Sequence, residues 1–592
     1  MPRIIPYYGI IYKRGATMRV NISKSKNSES LYIIKSINVN GKNTSKIVER
    51  LGTIEEVRVK AKGQDPYKWA RARAKKLTQQ EKDKNRDVSI SLSPNKRISK
   101  NTQRSFNVGY LPLQKIYHEL SLNSLTKKLS DKGKLEYDLD AILASLIYSR
   151  IIFPSSKLST FNLSKQFLER QTYDLHHIYR SLDVFAKNSQ EIQKHLYKES
   201  RKVINRDSSV LYYDCTNYFF EIEEADGLKQ YGKSKENRPN PIVQMGLFLD
   251  GSGIPLAFNI TPGNTNEQIT LQPLEKQIIK DFCLSKLVVC TDAGLSSIAN
   301  RKFNSIGNRA YITVQSLKKI KAHLREWAQD PSGWSLSGSG KEINISDIEL
   351  NDNKNTYYKE RRIKENGLEE RLIVSYSPKH ALYQKGIRAK QVERAEVKAQ
   401  SGQKIRKTKS QNDPSRFIDE VYMTKDGEVA SDSAVSINYD KIAKEAQYDG
   451  FYAVVTNLED SIESIIKINQ RRWEIEETFR IMKTEFKARP VYLSRDERIE
   501  AHFLICFMAM VIYRILEKRT EEKYTVTELT ESLRSMNVLR IYGEGYIPTF
   551  KRTTITDDIQ KLFGLELDTE IITSPNMNKN KRISKTKTLR KL

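Results

Sequence analysis

Apolar and polar positions alternate in short runs near the start of the chain, as in LYIIKSINVNG and TSKIVERLG. Period two predicts a small β unit over 1–72, with a hairpin turn at Asn40–Gly41. A lysine-rich polar stretch over 73–105 reads as helix and linker. Between 106 and 206 the apolar positions take helical spacing, as in LDAILASLIYSRII and HHIYRSLDVFAK, and Pro154 separates one helix from the next. This predicts an all-α module basic enough to bind DNA. From 207 the period shortens: SSVLYYDCT, PIVQMGLFLDGSGIPLAFNIT and KLVVCTDAG predict strands, the middle one a hairpin turning at DGSG. With a helix near 267–279 and a further strand, 207–315 makes half of a mixed α/β sheet. Residues 316–446 carry charged alternating segments, a turn-rich SGWSLSGSGKE and a basic helix or loop, and predict a β-rich insertion. The α/β pattern resumes at GFYAVVTNLED, a strand followed by a long helix, over 447–520. A C-terminal unit (521–575) and a basic, disordered tail (576–592) complete the chain.

Length and charge sharpen this outline. A chain of 592 residues is too long for one hydrophobic core. Lysine and arginine number 101 against 72 acids, a net charge of +29, which predicts a polyanionic partner, nucleic acid before membrane. The longest apolar run, Phe503 to Tyr513, falls short of the ~20 residues of a bilayer span and reads as a buried helix. The first residues lack a secretory pattern, so a cytoplasmic, nucleoid-associated protein is expected. Cys215, Cys283, Cys290 and Cys506 are widely spaced and read as small buried hydrophobes. His176 and His177 adjoin on a helix and are expected to face different ways, and His502 reads as a hydrogen-bonded structural residue. The glycines from Gly333 to Gly340 do not complete a phosphate-binding loop, so no nucleotide cofactor is expected.

The segment NQRRWEIEETFRIMK, from Asn469, holds three glutamates in four positions. On one helix at about 100° per residue, with Arg472 at zero, Glu476 falls near about 40°, Lys483 near about 20° and Asn469 near about 60°. Glu474 and Glu477 point elsewhere, near about 200° and about 140°. Ile468, Ile475, Phe479, Met482 and Phe486 form an apolar stripe beside the Arg472–Glu476–Lys483 face. Taken alone, that face is also what an ordinary solvated i, i+4 ion pair produces.

Two aspartates change the weighting. Asp214 ends the apolar strand LYYDCTN, and Asp292 ends KLVVCTDAG. An acid at the end of a buried strand is costly unless its charge is compensated. With Glu476 on a later helix, the pattern predicts a convergent, oxygen-only carboxylate site suited to Mg²⁺ or Mn²⁺. Two such ions about 3.5 to 4 Å apart serve in-line phosphoryl transfer, with Arg472 and Lys483 as hydrogen-bond donors to phosphate oxygens. In YGKSKENRPN, Lys233, Lys235 and Arg238 are either further phosphate contacts or a plain basic loop.

YYDCTN, VVCTDAG and RRWEIEETFRIMK resemble the three blocks of DDE transposases of bacterial insertion sequences, in the IS-four superfamily, whose catalytic domain is RNase H-like. The family's third block reads Tyr-x2-Arg-x3-Glu-x6-Lys; this chain matches it at Arg472, Glu476 and Lys483 but has Asn469 in place of the phosphate-binding tyrosine. The gaps, 292 − 214 = 78 and 476 − 292 = 184, suit the β-rich insertion housed there by the superfamily. The resemblance covers about residues 110 to 520. It implies that Asp214, Asp292 and Glu476 are the catalytic, metal-binding acids, with two Mg²⁺ or Mn²⁺ ions per site. Arg472, Lys483 and the Asn469 position would contact DNA. It further implies binding of the element's inverted-repeat ends, their cleavage and strand transfer into target DNA by a homodimer on DNA, without membrane or nucleotide cofactor. Some relatives flip a base onto tryptophan, a role open to Trp327 or Trp334 beside that of a core ring. Family members often begin near MRVNISKSKNSESLYI, which makes Met18 an alternative start. Two other readings keep the charge or the fold: an RNase H-like nuclease without strand transfer, and a catalytically inactive DNA-binding derivative.

Overall fold

A computed structural model of the protein describes residues 17–587 except 26–27, 40–41, 85–93, 96, 285, 337–340, 349–354, 402–411 and 422–433. It divides into two compact units, Met1–Thr102 and Gln103–Leu592. In the first, strands Arg19–Lys24, Glu29–Val39 and Lys42–Thr53 form an antiparallel sheet. Val39 pairs with Lys42, and the hairpin turn expected at Asn40–Gly41 lies outside the described residues. Helices Ile54–Ala61 and Pro66–Lys84 follow, and Leu31, Ile33, Leu51, Val57, Ala70 and Ala74 close a small core. The expected helix and linker over 73–105 thus begins within a helix that belongs to this unit. Met18 is buried there, its amide donating to Thr78 Oγ1.

The second unit is built on a ten-stranded mixed sheet. Its strands are β1 (Val210–Phe219), β2 (Ile242–Asp250), β3 (Pro255–Pro262), β4 (Leu287–Thr291), β5 (Arg309–Val314), β6 (Trp334–Leu336), β7 (Glu342–Ile343), β8 (Tyr357–Glu365), β9 (Leu368–Tyr376) and β10 (Phe451–Thr456). Their spatial order is β7-β6-β8-β9-β10-β5-β4-β1-β2-β3. β1, β2 and β3 form an antiparallel meander, β4 and β5 run parallel to β1, and β10 is antiparallel to β5. The β2–β3 turn uses Gly253 at φ +77°, where a side chain would strain the backbone. The fold class is the α/β, RNase H-like mixed sheet expected from the sequence. Strands β6 to β9, from the segment read as an insertion, extend this same sheet through the β9–β10 pairing, and the segment also carries a 23-residue helix, Pro378–Gln400.

Helices cover both faces of the sheet. Helix α1 (Glu267–Phe282) packs Leu271, Leu274 and Ile278 against Tyr213, Cys215 and Phe248. On the other face, the single helix expected from Asn469 to Phe486 is two: α2 (Ile462–Gln470) and α3 (Trp473–Thr484), divided by a turn at Arg471–Arg472. Arg472 keeps right-handed helical angles (φ −57°, ψ −23°), so the relative directions of its neighbours survive the break. Helix α4 (Asp496–Arg519) is apolar all round and buried from Phe503 to Tyr513, and packs among helices Leu111–Glu119, Leu139–Ile152 and Leu175–Lys187. Among the described residues it is the one single helix long and apolar enough to cross a membrane, and it lies inside the protein.

Several local expectations change. A small sheet pairs Ser105–Asn107 with Asn537–Ile541, so the start of the helical module and the C-terminal unit share one structure. The tail read as disordered forms helix Ser574–Lys585, whose Ser584 Oγ donates to Gln114 Oε1, and Lys115 Nζ donates to the Thr586 carbonyl; packing overrides a charged composition there. Cys283 is exposed, unlike the other three cysteines. The His176 and His177 rings, expected to diverge, lie 3.9 Å apart between centroids. Trp334 is fully buried, its indole donating to the Asp330 carbonyl, which makes it a core ring.

Candidate active site

The site follows from strand register. β1 and β4 are parallel neighbours, with Tyr212 opposite Cys290. Two residues on, Asp214 lies within β1 and Asp292 stands one residue past the end of β4, near enough for its charge to act on Asp214. Side chains alternate between the faces of a sheet, so Asp214 shares a face with Tyr212. That face belongs to α2 and α3: Tyr212 Oη donates to the Ile468 carbonyl at 2.9 Å, and Cys290 Sγ lies 3.8 Å from Asn469 Oδ1. The odd-numbered Tyr213 and Cys215 point to α1 instead.

Both aspartates are half-buried. Asp214 Oδ1 accepts from the Cys215 amide at 2.7 Å, and Asp292 Oδ1 accepts from the Leu295 amide at 3.0 Å. Burial pushes the Asp214 carboxyl up to about 6; the Lys235 ammonium pulls against it and the Asp292 charge pushes with it. A carboxyl raised in this way marks negative charge that the protein alone does not balance. The donor set is oxygen only, and these two facts together fit a hard divalent cation.

Helix α3 separates its three glutamates by partner. Glu474 pairs with Arg471 at 2.8 Å, and Glu477 with Arg514 at 3.1 Å and Arg480 at 3.3 Å. Glu476 pairs with Arg472 at 3.1 Å, with its side chain 58% exposed. Arg472 in turn is near enough to Asp214 for each charge to favour the other, and its Nε is buried without an acceptor. The structure therefore brings Asp214 and Asp292 together and sets Glu476 at the end of the Arg472 link. No choice of one oxygen from each of the three acids lies mutually within 4.8 Å; among the described residues, Asp174, His176 and His177 form the group of three whose ligand atoms do. A pair of ions about 3.5 to 4 Å apart, with bonds of about 2.1 Å, does not require so tight a cluster, since its outer ligands stand up to roughly 8 Å apart.

Lys483 is half-buried on the same helix, held down to about 8 by burial and by the Lys235 charge, with Asp214 pulling the other way. It lies 3.4 Å from Glu236, which also pairs with Arg489. Within their loop, Lys233, Lys235 and Arg238 are all exposed. Lys235 donates to the Cys215 carbonyl and lies 3.5 Å from Glu267. Arg238 stacks on Phe219, 4.1 Å from the ring centroid.

Asn469 is placed differently from a DNA-facing residue. It is 6% exposed, and its Nδ2 donates to Tyr452 Oη at 3.0 Å. The group at this point that keeps partial exposure is the Tyr452 phenol of β10, pushed up by burial and pulled down by Asn469 and Arg472. Sequence reasoning missed Tyr452 and Glu236. The first sits in an alternating strand 17 residues before Asn469, where only the sheet's path brings it back; the second is an acid inside a run read as basic.

The transposase DDE domain family model matches residues 217–512, which include Asp292 and Glu476 and begin three residues after Asp214. No curated protein matches the chain. Among solved structures, a piggyBac transposase synaptic complex with hairpin DNA overlaps at 8% identity and TM-score 0.35, over 81% of this chain and 88% of that one. A Mos1 transposase paired-end complex with left transposon end overlaps at 13% identity and TM-score 0.13, over 42% of this chain and 69% of that one.

Proposed function

Because the chain belongs to the transposase DDE domain family, we propose that it is a divalent-metal-dependent DNA transposase of the IS-four type, which cleaves DNA at the ends of an insertion sequence and joins the freed 3′ ends to target DNA. The observation that supports this reading is the parallel pairing of Tyr212 with Cys290, two residues before Asp214 and Asp292, beside the helix that carries Arg472 and Glu476.

In this reading Asp214, Asp292 and Glu476 hold two Mg²⁺ or Mn²⁺ ions. The chemistry such ions supply is activation of a water or 3′-hydroxyl and stabilisation of the leaving oxygen in an in-line displacement. The remaining residues bind and orient the strand. Arg472 turns its guanidinium from Glu476 to the scissile phosphate as Glu476 takes up its ligand role. Lys483 offers its ammonium to the neighbouring phosphate in exchange for Glu236. Lys235 holds the rim beside Asp214 and lowers the cost of ionising it, while Lys233 and Arg238 extend the basic surface along the strand. Asn469 acts through Tyr452, whose hydroxyl it orients. Cleavage and joining are both phosphoryl transfers, so one site serves both, and two element ends call for two copies of the chain on DNA, with the nucleoid of the cytoplasm as the place of action.

The test is strand transfer. Purified protein, Mg²⁺ and DNA carrying the inverted repeats that flank the gene are incubated with a target plasmid, and Asp292→Ala is run in parallel. Joined products from the wild type and none from the variant support the reading. Cleavage without joining replaces it with a nuclease, and binding alone with an inactive derivative.

A further inference from the structure

Next to this site is a cavity of about 630 Å³ that none of the signature residues lines. Arg150, Lys157, Lys487, Arg489, Tyr492 and His502 are among its walls, and no aspartate or glutamate is. Two of the cations are inside the protein: Arg150 is 4% exposed and Lys157 5%. Arg150 donates to the Phe486, Lys487 and Ser155 carbonyls, and its Nε has no acceptor. Lys157 Nζ donates to His502 Nδ1 at 3.4 Å, and His502 Nε2 donates to the Ala488 carbonyl at 3.0 Å. That pair of bonds requires a neutral ring, consistent with burial and the two flanking cations holding His502 well below its ordinary value.

Among the described residues neither Arg150 nor Lys157 has a carboxylate partner. Their charges oppose each other, and burial with the Arg150 charge brings the Lys157 ammonium down to about 7. Two buried, mutually repelling cations are costly to keep unless an anion arrives to balance them. Further donors are at hand: the Ser155, Ser156 and Ser159 residues line the same space, and Arg489 links it to the active site through Glu236, which also holds Lys483. Tyr492, 67% exposed, puts one wall at the surface.

We propose that this cavity is a phosphate-binding pocket that takes a backbone phosphate of the DNA strand passing Lys483, with Lys157 and Arg150 as its floor. The proposal rests on the reading of the protein as a DNA transposase. A phosphate there neutralises the charge that the fold leaves open and fixes the strand at a second point beyond the reacting bond.

Two measurements on the full chain, comparing wild type with Lys157→Met, test it. In thermal unfolding with increasing inorganic pyrophosphate, the wild-type midpoint rises and the variant's does not; without anion the variant is at least as stable as the wild type, because it lacks a buried uncompensated charge. In anisotropy titrations with a fluorescent single-stranded oligonucleotide, the variant binds on the order of ten-fold more weakly, and its logarithmic salt dependence is shallower by about 0.7, the contribution of one phosphate on a single strand. Equal oligonucleotide affinity with equal pyrophosphate response overturns the pocket. A variant less stable than the wild type without anion also overturns it, since Lys157 is then a structural ammonium. A wild type that binds no oligonucleotide, yet is stabilised by pyrophosphate while the variant is not, removes the DNA reading and leaves the anion pocket in place.

Discussion

The Tyr452 hydroxyl accepts a hydrogen bond from Asn469 Nδ2 at 3.0 Å, across the junction between strand β10 and helix α2. Asparagine occupies the position where the IS-four signature that this segment resembles has tyrosine, and a tyrosine from another element meets it there. The space that a ring at 469 needs is already bounded by Tyr452 and Cys290. Asn469→Tyr is therefore expected to overpack the junction and lower stability by about 1–3 kcal/mol. The exchange Tyr452→Asn with Asn469→Tyr recovers part of that loss. Thermal unfolding of the two singles and the double measures the coupling; strict additivity would show that the residues do not share this space.

Asp214 gives a prediction with a defined sign. Its carboxyl is raised to about 6 in the metal-free fold, against roughly 3.9 in an unfolded chain. A raised carboxyl lets the fold bind a proton more tightly than the unfolded chain does, so the metal-free wild type loses stability as pH rises from about 4 to about 6. Asp214→Asn removes that loss. The variant is expected to be more stable by on the order of 2 kcal/mol at pH 7, allowing for the partial exposure of the group, with the gain shrinking below pH 6 and gone near pH 4. Chelator-treated protein unfolded in urea at several pH values reports it. A variant less stable at pH 7 would mean that Asp214 already has its compensation within the protein.

Lys483 supplies the complementary case, at the alkaline end. Burial and Lys235 hold it down to about 8, so its charge fades within an accessible range. DNA affinity of the wild type is expected to fall between pH 7 and pH 9, and that of Lys483→Arg, which stays charged at 483, to fall less over the same interval, the loss at Lys157 being common to both. Parallel Kd measurements at fixed ionic strength decide; matching pH profiles would remove Lys483 from the phosphate contacts.

Buried ionic structure under the sheet is open to direct test as well. Arg206 and Asp250, 1% and 0% exposed at their side chains, pair at the end of β2. Arg206→Met leaves the Asp250 charge inside and is expected to cost about 3–5 kcal/mol, measured as a shift in the urea midpoint. A shift under about 1 kcal/mol would show that water reaches the pair.

Much of the catalytic sheet was legible in the sequence because local signals agree with tertiary ones. Period-two runs with a DGSG turn became β2 and β3, and the apolar strands carrying Asp214 and preceding Asp292 became parallel neighbours, although Asp214, read as a strand end, lies in the middle of β1, which runs on to Phe219. The wheel drawn from Arg472 separated Glu476 from Glu474 and Glu477, and the three do take different partners. What stayed hidden depends on contacts distant in the chain. Nothing near Lys157 marks it as buried against His502, because the fold joins residues more than 300 positions apart. The extension of the sheet by β6 to β9 was invisible for the same reason: alternation predicts strands, and not which edge they join. Helix Ser574–Lys585 was read as disordered from its charge, although its buried Met577, Asn580 and Ser584 fall on one face at helical spacing.

The central claim is that Asp214, Asp292 and Glu476 meet around divalent cations, and iron-directed cleavage of the polypeptide tests it most directly. Fe²⁺ replaces Mg²⁺ at the site in the presence of DNA, ascorbate and peroxide generate radicals there, and the backbone is cut beside the bound metal. Fragments ending near residues 214, 292 and 476 are expected, all three suppressed by excess Mg²⁺. Cuts confined to the neighbourhood of Asp174, His176 and His177, or cuts at 214 and 292 with none near 476, would contradict it.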